Sequence, residues 1–126
     1  MDKKKILVVD DGVTVRLYYK DVLNGAGFQV DEAANGAEGL EKALLGQYNL
    51  ILADINMPKM DGYELVRQIR NDPALQPTPI ITITTEAEEA DVLKAYEAGA
   101  NFYMVKPVKP DRLVEAVRLL TGEPVT

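Results

Sequence analysis

The chain has 126 residues, of which 47% are hydrophobic and 27% charged, a composition typical of one globular domain. It contains no cysteine and no histidine, which excludes disulfides, thiolate or imidazole metal ligands, Ser-His-Asp triads and phosphohistidine within this chain. The net charge of −6 argues against nucleic acid as a partner. Since no apolar run approaches the ~20 residues of a membrane span and the N-terminus lacks a signal-peptide core, we expect a cytoplasmic protein without membrane insertion.

Short apolar runs alternate with helical patterns along the chain. The runs predict five strands, at Lys5–Val9, 28–33, 50–53, 80–83 and Phe102–Val105. The polar residues Gln29, Asp31 and Glu32 indicate that the second strand lies at an edge of the sheet.

Apolar residues at helical spacing predict one helix after each strand. They are Val15, Tyr18, Tyr19, Val22 and Ala26 in the first helix, Ala37, Leu40, Ala43 and Leu44 in the second, Leu65, Val66 and Ile69 in the third, residues 87–98 in the fourth, and Leu113, Ala116, Val117 and Leu120 in the fifth. Gly25, Gly27, Gly46, Gly122 and Pro124 are the expected stop signals. The fourth helix is less amphipathic than the others, and we expect one of its faces to stay free.

Five βα units predict an α/β fold with a parallel sheet covered by helices on both faces. Eight units would indicate a barrel, whereas five indicate an open, doubly wound (βα)5 sheet. We therefore expect one domain over residues 1–126, with a core at about 5–121.

Polar side chains collect where the predicted strands end. Asp10 and Asp11 follow the first strand, Asp54 the third, Thr84 the fourth and Lys106 the fifth. Because ligands of open α/β sheets bind at the carboxyl ends of the strands, we expect these five residues to converge on one edge of the sheet.

Taken singly, Asp11 or Thr84 is most simply explained as a helix cap. That explanation does not account for the whole set, because uncompensated carboxylates beside buried strands are costly and raise one another's pKa. Three carboxylates, one lysine and one Mg²⁺ sum to zero charge, and oxygen-only ligands suit Mg²⁺. The set predicts a metal-assisted phosphoryl site.

The roles within this site follow from position. Asp10 and Asp11 are adjacent and suited to holding the metal, while Asp54 stands alone on a central strand as the expected nucleophile. Lys106 is expected to act as an electrostatic clamp on the phosphoryl group, and Thr84 to donate a hydrogen bond to it.

From Ile6 to about Leu120 the chain resembles the receiver domains of two-component response regulators, most closely the single-domain CheY-like proteins. The motifs that carry this resemblance are Val9-Asp10-Asp11, the run from Asp54 through Asn56-Met57-Pro58 to Asp61-Gly62, Thr84, Ala98-Gly99-Ala100 and Lys106-Pro107. The resemblance implies a flavodoxin-like strand order of 2-1-3-4-5 and a cis peptide at Lys106-Pro107. It implies Asp54 as the phosphoacceptor, with Mg²⁺ held by Asp10, Asp11, Asp54 and the backbone carbonyl of Asn56.

The resemblance also assigns residues around the acceptor. Thr84 and Tyr103 match the switch positions; the less favoured alternative for Tyr103 is an ordinary strand aromatic. Asn56 and Glu86 match the positions that modulate the lifetime of the acyl phosphate, and this pair is the chemotaxis-type combination. The chain departs from the family at Thr85, where a small residue is usual, and at Val108, where Phe is common.

The function implied is a signalling switch and not an enzyme. A sensor histidine kinase would supply the phosphoryl group, and a downstream target, such as a flagellar motor switch, would bind the face formed by the fourth helix, fifth strand and fifth helix. Residues 122–126 are read as a short tail, and we expect a monomer or weak dimer.

Several alternatives stay open. The chain could relay its phosphoryl group to a histidine phosphotransfer protein, or be a receiver cut from a longer regulator. From other classes, a Mg²⁺-dependent aspartyl phosphatase of the haloacid-dehalogenase type would place its nucleophile after the first strand and need a cap domain. A flavodoxin-like cofactor binder would need a Ser/Thr/Gly phosphate loop where Asp10 and Asp11 stand.

Overall fold

Five short strands, rich in Val, Ile and Leu, form one parallel sheet in the order β2-β1-β3-β4-β5. The computed structural model describes residues 3–86 and 88–124. The strands are β1 (Lys5–Val9), β2 (Gln29–Ala33), β3 (Leu50–Asp54), β4 (Ile80–Thr84) and β5 (Phe102–Val105). β3 and β4 are buried along their whole length, as expected of strands covered on both faces.

Five helices connect and cover the strands. They are α1 (Val13–Gly25), α2 (Gly36–Leu45), α3 (Gly62–Asn71), α4 (Glu89–Ala98) and α5 (Pro110–Thr121). α2, α3 and α4 pack on one side of the sheet with Leu7, Val9 and Ile51, and α1 and α5 pack on the other side with Ile6 and Val8. The doubly wound fold and the strand order are therefore as predicted, with β2 at one edge of the sheet.

Some predicted boundaries change by a residue or two. β3 and β4 each run one residue further than predicted, so that Asp54 and Thr84 are the last residues of their strands. α4 begins at Glu89, and residue 87, where we predicted its start, lies outside the described residues. Residues 1–2 of the predicted domain and residues 125–126 of the predicted tail also lie outside them.

The second helix buries only part of the face that its apolar residues predict, since Ala43 is buried and Leu40 packs against the core as predicted. Gly39 and Ala43 are buried, whereas Ala37 and Leu44 are exposed. α2 approaches the sheet closely, because a Cβ atom at Gly39 would lie 2.9 Å from Cγ2 of Val9. Close packing at Gly39 thus accompanies a shift of the buried face of α2 away from Ala37 and Leu44.

The end of the sheet where β4 and β5 begin is held by one arginine. Arg70, at the end of α3, donates from Nε to the carbonyl of Gly99 and from Nη1 to the carbonyls of Gln76 and Thr78, at 2.7 to 2.9 Å. Its Nη2 donates to the side-chain oxygen of Asn101 at 2.7 Å. Four acceptors from the α3–β4 and α4–β5 connections are thus satisfied by a single guanidinium.

None of the helices in the two described ranges combines the length and the hydropathy needed to span a bilayer.

Candidate functional site

The five polar residues predicted to converge all lie at the carboxyl edge of the sheet. Asp54 ends β3 and Thr84 ends β4, while Asp10 follows β1 and Lys106 follows β5. Asp10, Asp54 and Thr84 are buried, with 2%, 5% and 0% of their surface exposed. Because parallel strands present their carboxyl ends to the same edge, residues up to 96 positions apart are brought into contact.

Three carboxylates and one ammonium form the centre of the site. Carboxylate oxygens of Asp10, Asp11 and Asp54 lie within 4.8 Å of one another. Nζ of Lys106 lies 3.3 Å from Oδ2 of Asp10 and 3.3 Å from Oδ1 of Asp54. Asp11 is exposed, so the cluster opens to solvent on its side.

The cluster carries more negative charge than positive charge. Burial, and then the charge of Asp10, raise the pKa of Asp54, and the opposing effect of Lys106 does not cancel them. Burial lowers the pKa of Lys106, but the charges of Asp10 and Asp54 outweigh it, so the pKa of this lysine is raised. Lys106 therefore stays protonated, and three carboxylates and one ammonium leave a net charge of about −2.

A divalent cation fits this cluster. All the candidate side-chain ligands are carboxylate oxygens, which are the donors that hard cations such as Mg²⁺ prefer. The exposure of Asp11 leaves one side open for the waters that Mg²⁺ usually keeps.

Neither Asp11 nor Thr84 caps a helix, so that explanation of the two residues is wrong. The N-cap residues are Gly12 for α1 and Glu88 for α4, and neither makes a side-chain cap hydrogen bond. The loop after β1 is instead held by Asp10, whose Oδ1 accepts the N–H of Gly12 at 2.8 Å.

The loop after Asp54 turns sharply back on the strand. The N–H of Gly62 donates to the carbonyl of Ile55 at 2.9 Å, and Asp61 caps α3 by accepting the N–H of Glu64. A Cβ atom at Gly62 would lie 2.7 Å from Cα of Ile55 and closer still to the carbonyl oxygen of Asp54. Glycine at this position is what lets α3 begin directly against the end of β3.

Thr84 and Tyr103 both hold the backbone of Glu86. Oγ1 of Thr84 accepts the N–H of Glu86 at 3.2 Å, and the hydroxyl of Tyr103 donates to the carbonyl of Glu86. The ring of Tyr103 is half-buried against the core. Tyr103 therefore links β5 to the loop after β4. Asn56 and Glu86 are exposed beside the cluster.

The backbone of Lys106 is hydrogen-bonded to the end of β4. Its N–H donates to the carbonyl of Thr84 at 2.7 Å, and the Lys106-Pro107 peptide is cis, as predicted. Val108, which departs from the family pattern, is buried in the core beside α1 and α5, and its carbonyl accepts the hydroxyl of Tyr18 at 2.9 Å. Thr85, the other departure, is exposed.

One residue at the site was missed by the sequence analysis. Arg16 of α1 donates from Nη1 to the backbone carbonyl of Asp10 at 2.6 Å and from Nε to Glu32 at 3.2 Å. A signal was available, because Arg16 lies near the start of a helix whose first turn carries no acidic residue, where the helix dipole disfavours a cation. A cation in that position indicates an acceptor outside the helix.

Comparison with known proteins agrees with this geometry. The family model for the response regulator receiver domain matches residues 6–118, and the chain belongs to that family. The chain is 41% identical over 120 residues to the chemotaxis protein CheY1 of Helicobacter pylori, covering 94% of this chain and 97% of that protein. It is 43% identical over 119 residues to the transcriptional regulatory protein ResD of Bacillus subtilis, covering 94% of this chain but only 48% of that protein, about half its length.

A solved structure is similar over nearly the whole chain. The receiver domain of the sensor histidine kinase PA1611 from Pseudomonas aeruginosa superposes with a TM-score of 0.90 at 30% identity, covering 97% of this chain and all of that one. It has a magnesium ion coordinated in its active-site cleft. The protein is thus a CheY-like receiver domain of two-component signalling, a class of signalling switch.

Proposed function

We propose that Asp54 is the phosphoacceptor of this receiver, taking a phosphoryl group from the phosphohistidine of a sensor histidine kinase. The observation that carries the proposal is the position of Lys106 Nζ, 3.3 Å from Oδ1 of a buried Asp54, in a cluster with two further carboxylates. A P–O bond forms to a carboxylate oxygen of Asp54 while the P–N bond of the donor breaks and its electron pair stays on the imidazole nitrogen.

The remaining residues of the cluster act by charge and position. Asp10, Asp11, Asp54 and the backbone carbonyl of Asn56 would hold Mg²⁺, which when bound supplies positive charge against the phosphoryl oxygens. Lys106 is already in place to pair with a phosphoryl oxygen on Asp54. Asn56 and Glu86 are exposed beside Asp54 and Thr84, and we assign to them control of the lifetime of the acyl phosphate.

Phosphorylation is read out through Thr84 and Tyr103. A phosphoryl group on Asp54 offers acceptor oxygens to the hydroxyl of Thr84, which now accepts the N–H of Glu86. Movement of Thr84 breaks its hydrogen bond with the N–H of Glu86. Tyr103, whose hydroxyl donates to the carbonyl of Glu86, then changes its position. The domain is a switch and not an enzyme with an external substrate.

The output is a protein–protein contact on the α4–β5–α5 face. This face carries exposed apolar and aromatic side chains, namely Leu93, Tyr96, Phe102, Val105 and Leu119. The similarity to the chemotaxis protein CheY1 supports a chemotaxis-type output, and the similarity to half of the transcriptional regulatory protein ResD supports the alternative of a receiver within a longer regulator. The single domain over residues 1–126, the monomer or weak dimer and the cytoplasmic location remain predictions.

The test is labelling of the purified protein with acetyl phosphate, followed by intact and peptide mass spectrometry. We expect wild type to gain one phosphoryl group on Asp54 only when Mg²⁺ is present, and Asp54→Asn to gain none. Asp111→Asn, which neutralises an exposed aspartate at the start of α5, is the control and should be labelled as wild type. Labelling of Asp54→Asn to the wild-type extent at another residue would contradict the proposal.

A further inference from the structure

The backbone between Asp10 and Asp11 is held by a side chain from α1. Arg16 donates from Nη1 to the carbonyl of Asp10 at 2.6 Å and from Nε to Oε1 of Glu32, on β2, at 3.2 Å. Its side chain is 13% exposed, and Glu32 also pairs with Lys20 at 3.3 Å. One planar guanidinium thus ties the loop after β1 to the edge strand.

Arg16 contacts the backbone carbonyl of Asp10, and the other polar groups of Asp10 have partners elsewhere. The N–H of Asp10 donates to the carbonyl of Ala33, its Oδ1 accepts the N–H of Gly12, and its Oδ2 lies beside Lys106. With Arg16 bound, every backbone and side-chain polar atom of this buried residue has a partner. Asp10 is consequently fixed in one orientation.

This contact also orients Asp11. The carbonyl of Asp10 belongs to the rigid peptide plane that joins the two aspartates. A rotation of that plane would move the exposed carboxylate of Asp11 relative to the buried carboxylate of Asp10. The distance between their oxygens, which now lie within 4.8 Å of each other, would then change. The direction of one carbonyl therefore sets the spacing of two candidate metal ligands.

By charge alone, Arg16 opposes a cation at the cluster. Its guanidinium lies against the backbone of Asp10, and its positive charge would repel Mg²⁺ held by the neighbouring carboxylates. Glu32 offsets part of that charge through the ion pair. Removal of Arg16 would therefore tighten Mg²⁺ binding if charge dominated, and weaken it if orientation dominated.

We propose that Arg16 is a positioning residue for the metal site: it fixes the Asp10–Asp11 peptide so that both carboxylates face one Mg²⁺. The proposal rests on the function proposed above, in which these aspartates hold the metal. Orientation outweighs charge here because the contact is short, nearly buried and made to the very peptide that joins the two ligands.

The experiment is titration of Mg²⁺ alone by calorimetry into wild type, Arg16→Gln and Lys20→Gln, each with a thermal melt in magnesium-free buffer. We expect Arg16→Gln to bind Mg²⁺ about tenfold more weakly, as is typical when a partner that orients a ligand is removed. Lys20→Gln is the matched control, because it removes a positive charge from the same Glu32 without touching Asp10. It should bind Mg²⁺ at least as tightly as wild type.

The outcomes separate the two proposals. If Arg16→Gln binds Mg²⁺ as tightly as wild type or more tightly, only the positioning role is overturned. The same holds if Arg16→Gln and Lys20→Gln weaken Mg²⁺ binding equally, because the effect would then come from Glu32. Absence of any titration in wild type overturns the metal site and this inference together. If the melt shows that Arg16→Gln does not fold, Arg16→Lys decides. It keeps the charge but lacks the two-pronged geometry, so about threefold weaker binding supports the proposal and unchanged binding overturns it.

Discussion

Lys106 shares its ammonium group between Asp54 and Asp10, at 3.3 Å from an oxygen of each. One cation divided between two buried carboxylates cannot neutralise both. Burial first and the charge of Asp10 second raise the pKa of Asp54, and the opposing effect of Lys106 does not cancel them. Without a metal, the cluster holds more negative charge than its surroundings compensate.

Replacing Asp54 with Asn should stabilise the fold in magnesium-free buffer at neutral pH. A carboxyl whose pKa is higher in the folded state binds its proton more tightly there than in the unfolded chain, so stability falls as pH rises from the ordinary value of 3.8 through the raised value. The advantage of Asp54→Asn should therefore be largest at neutral pH and shrink toward pH 3.8. Urea unfolding across this range measures it.

The control for this prediction is Asp21→Asn, which neutralises an exposed aspartate on α1. It should show no comparable pH-dependent gain. If the gain in free energy of unfolding from Asp54→Asn stayed constant with pH, it would come from the shape of the asparagine side chain and not from the loss of charge.

Replacing Asp11 with Ala should weaken Mg²⁺ binding by about tenfold or more, since it removes one of three carboxylate oxygens. The same variant should be no less stable than wild type in magnesium-free buffer, because a like charge beside Asp10 and Asp54 is lost. Calorimetric titration checks the affinity and thermal unfolding in magnesium-free buffer checks the stability, each against Asp21→Ala, a charge-matched change outside the cluster. An unchanged affinity would remove Asp11 from the metal site.

Replacing Thr84 with Ala should separate phosphorylation from output. Reversal of a two-state equilibrium from 1:99 to 99:1 needs about 5.5 kcal/mol, more than the roughly 1.5–3 kcal/mol of one hydrogen bond to a charged group. We therefore expect Thr84 to act together with Lys106. Thr84→Ala should still bind beryllofluoride, a mimic of the phosphoryl group, at Asp54, but the conformational response in the rest of the domain should be reduced.

The measurement for Thr84 is the change in backbone amide chemical shifts on addition of Mg²⁺ and beryllofluoride. In wild type we expect shifts at Glu86, whose N–H Thr84 now accepts, and along α4 and β5. Thr84→Ala and Tyr103→Ala should each confine the shifts to the cluster. If both variants keep the full wild-type pattern, the proposed coupling is absent and the bond from Tyr103 to Glu86 is only structural.

Replacing Gly62 with Ala should destabilise the protein by about 3 kcal/mol, as overpacking does where backbone cannot yield. The added Cβ would meet Cα of Ile55 at 2.7 Å and the carbonyl of Asp54. Gly25→Ala, at the end of α1 with nothing within 4 Å of its Cβ, is the control and should stabilise by up to about 1 kcal/mol. Thermal unfolding of the two variants makes the comparison, and equal effects would contradict the packing argument.

The alternation of strands and helices and the convergence of the site were predictable because they follow from repeating patterns, whereas the strand order came from the resemblance to receiver domains. Alternating runs specify the βα units, and parallel strands must bring Asp10, Asp54 and Lys106 to one edge. The contacts of Arg16 with Asp10 and of Tyr18 with Val108 were not predictable, since they join residues on different elements whose spacing carries no period. Local propensity also differs from the structure at Thr84. Threonine favours helix caps, but tertiary packing places Thr84 at the end of a buried strand.

The guanidinium of Arg70 has a consequence for how the molecule opens. It joins the connections before β4 and before β5 through four acceptors, at the opposite end of the sheet from the carboxylates. Local opening costs most where many contacts must break together. Native-state hydrogen exchange should accordingly be slower where β4 and β5 begin than in the loops beyond their carboxyl ends, so that the domain opens first at the edge that carries the proposed phosphoacceptor.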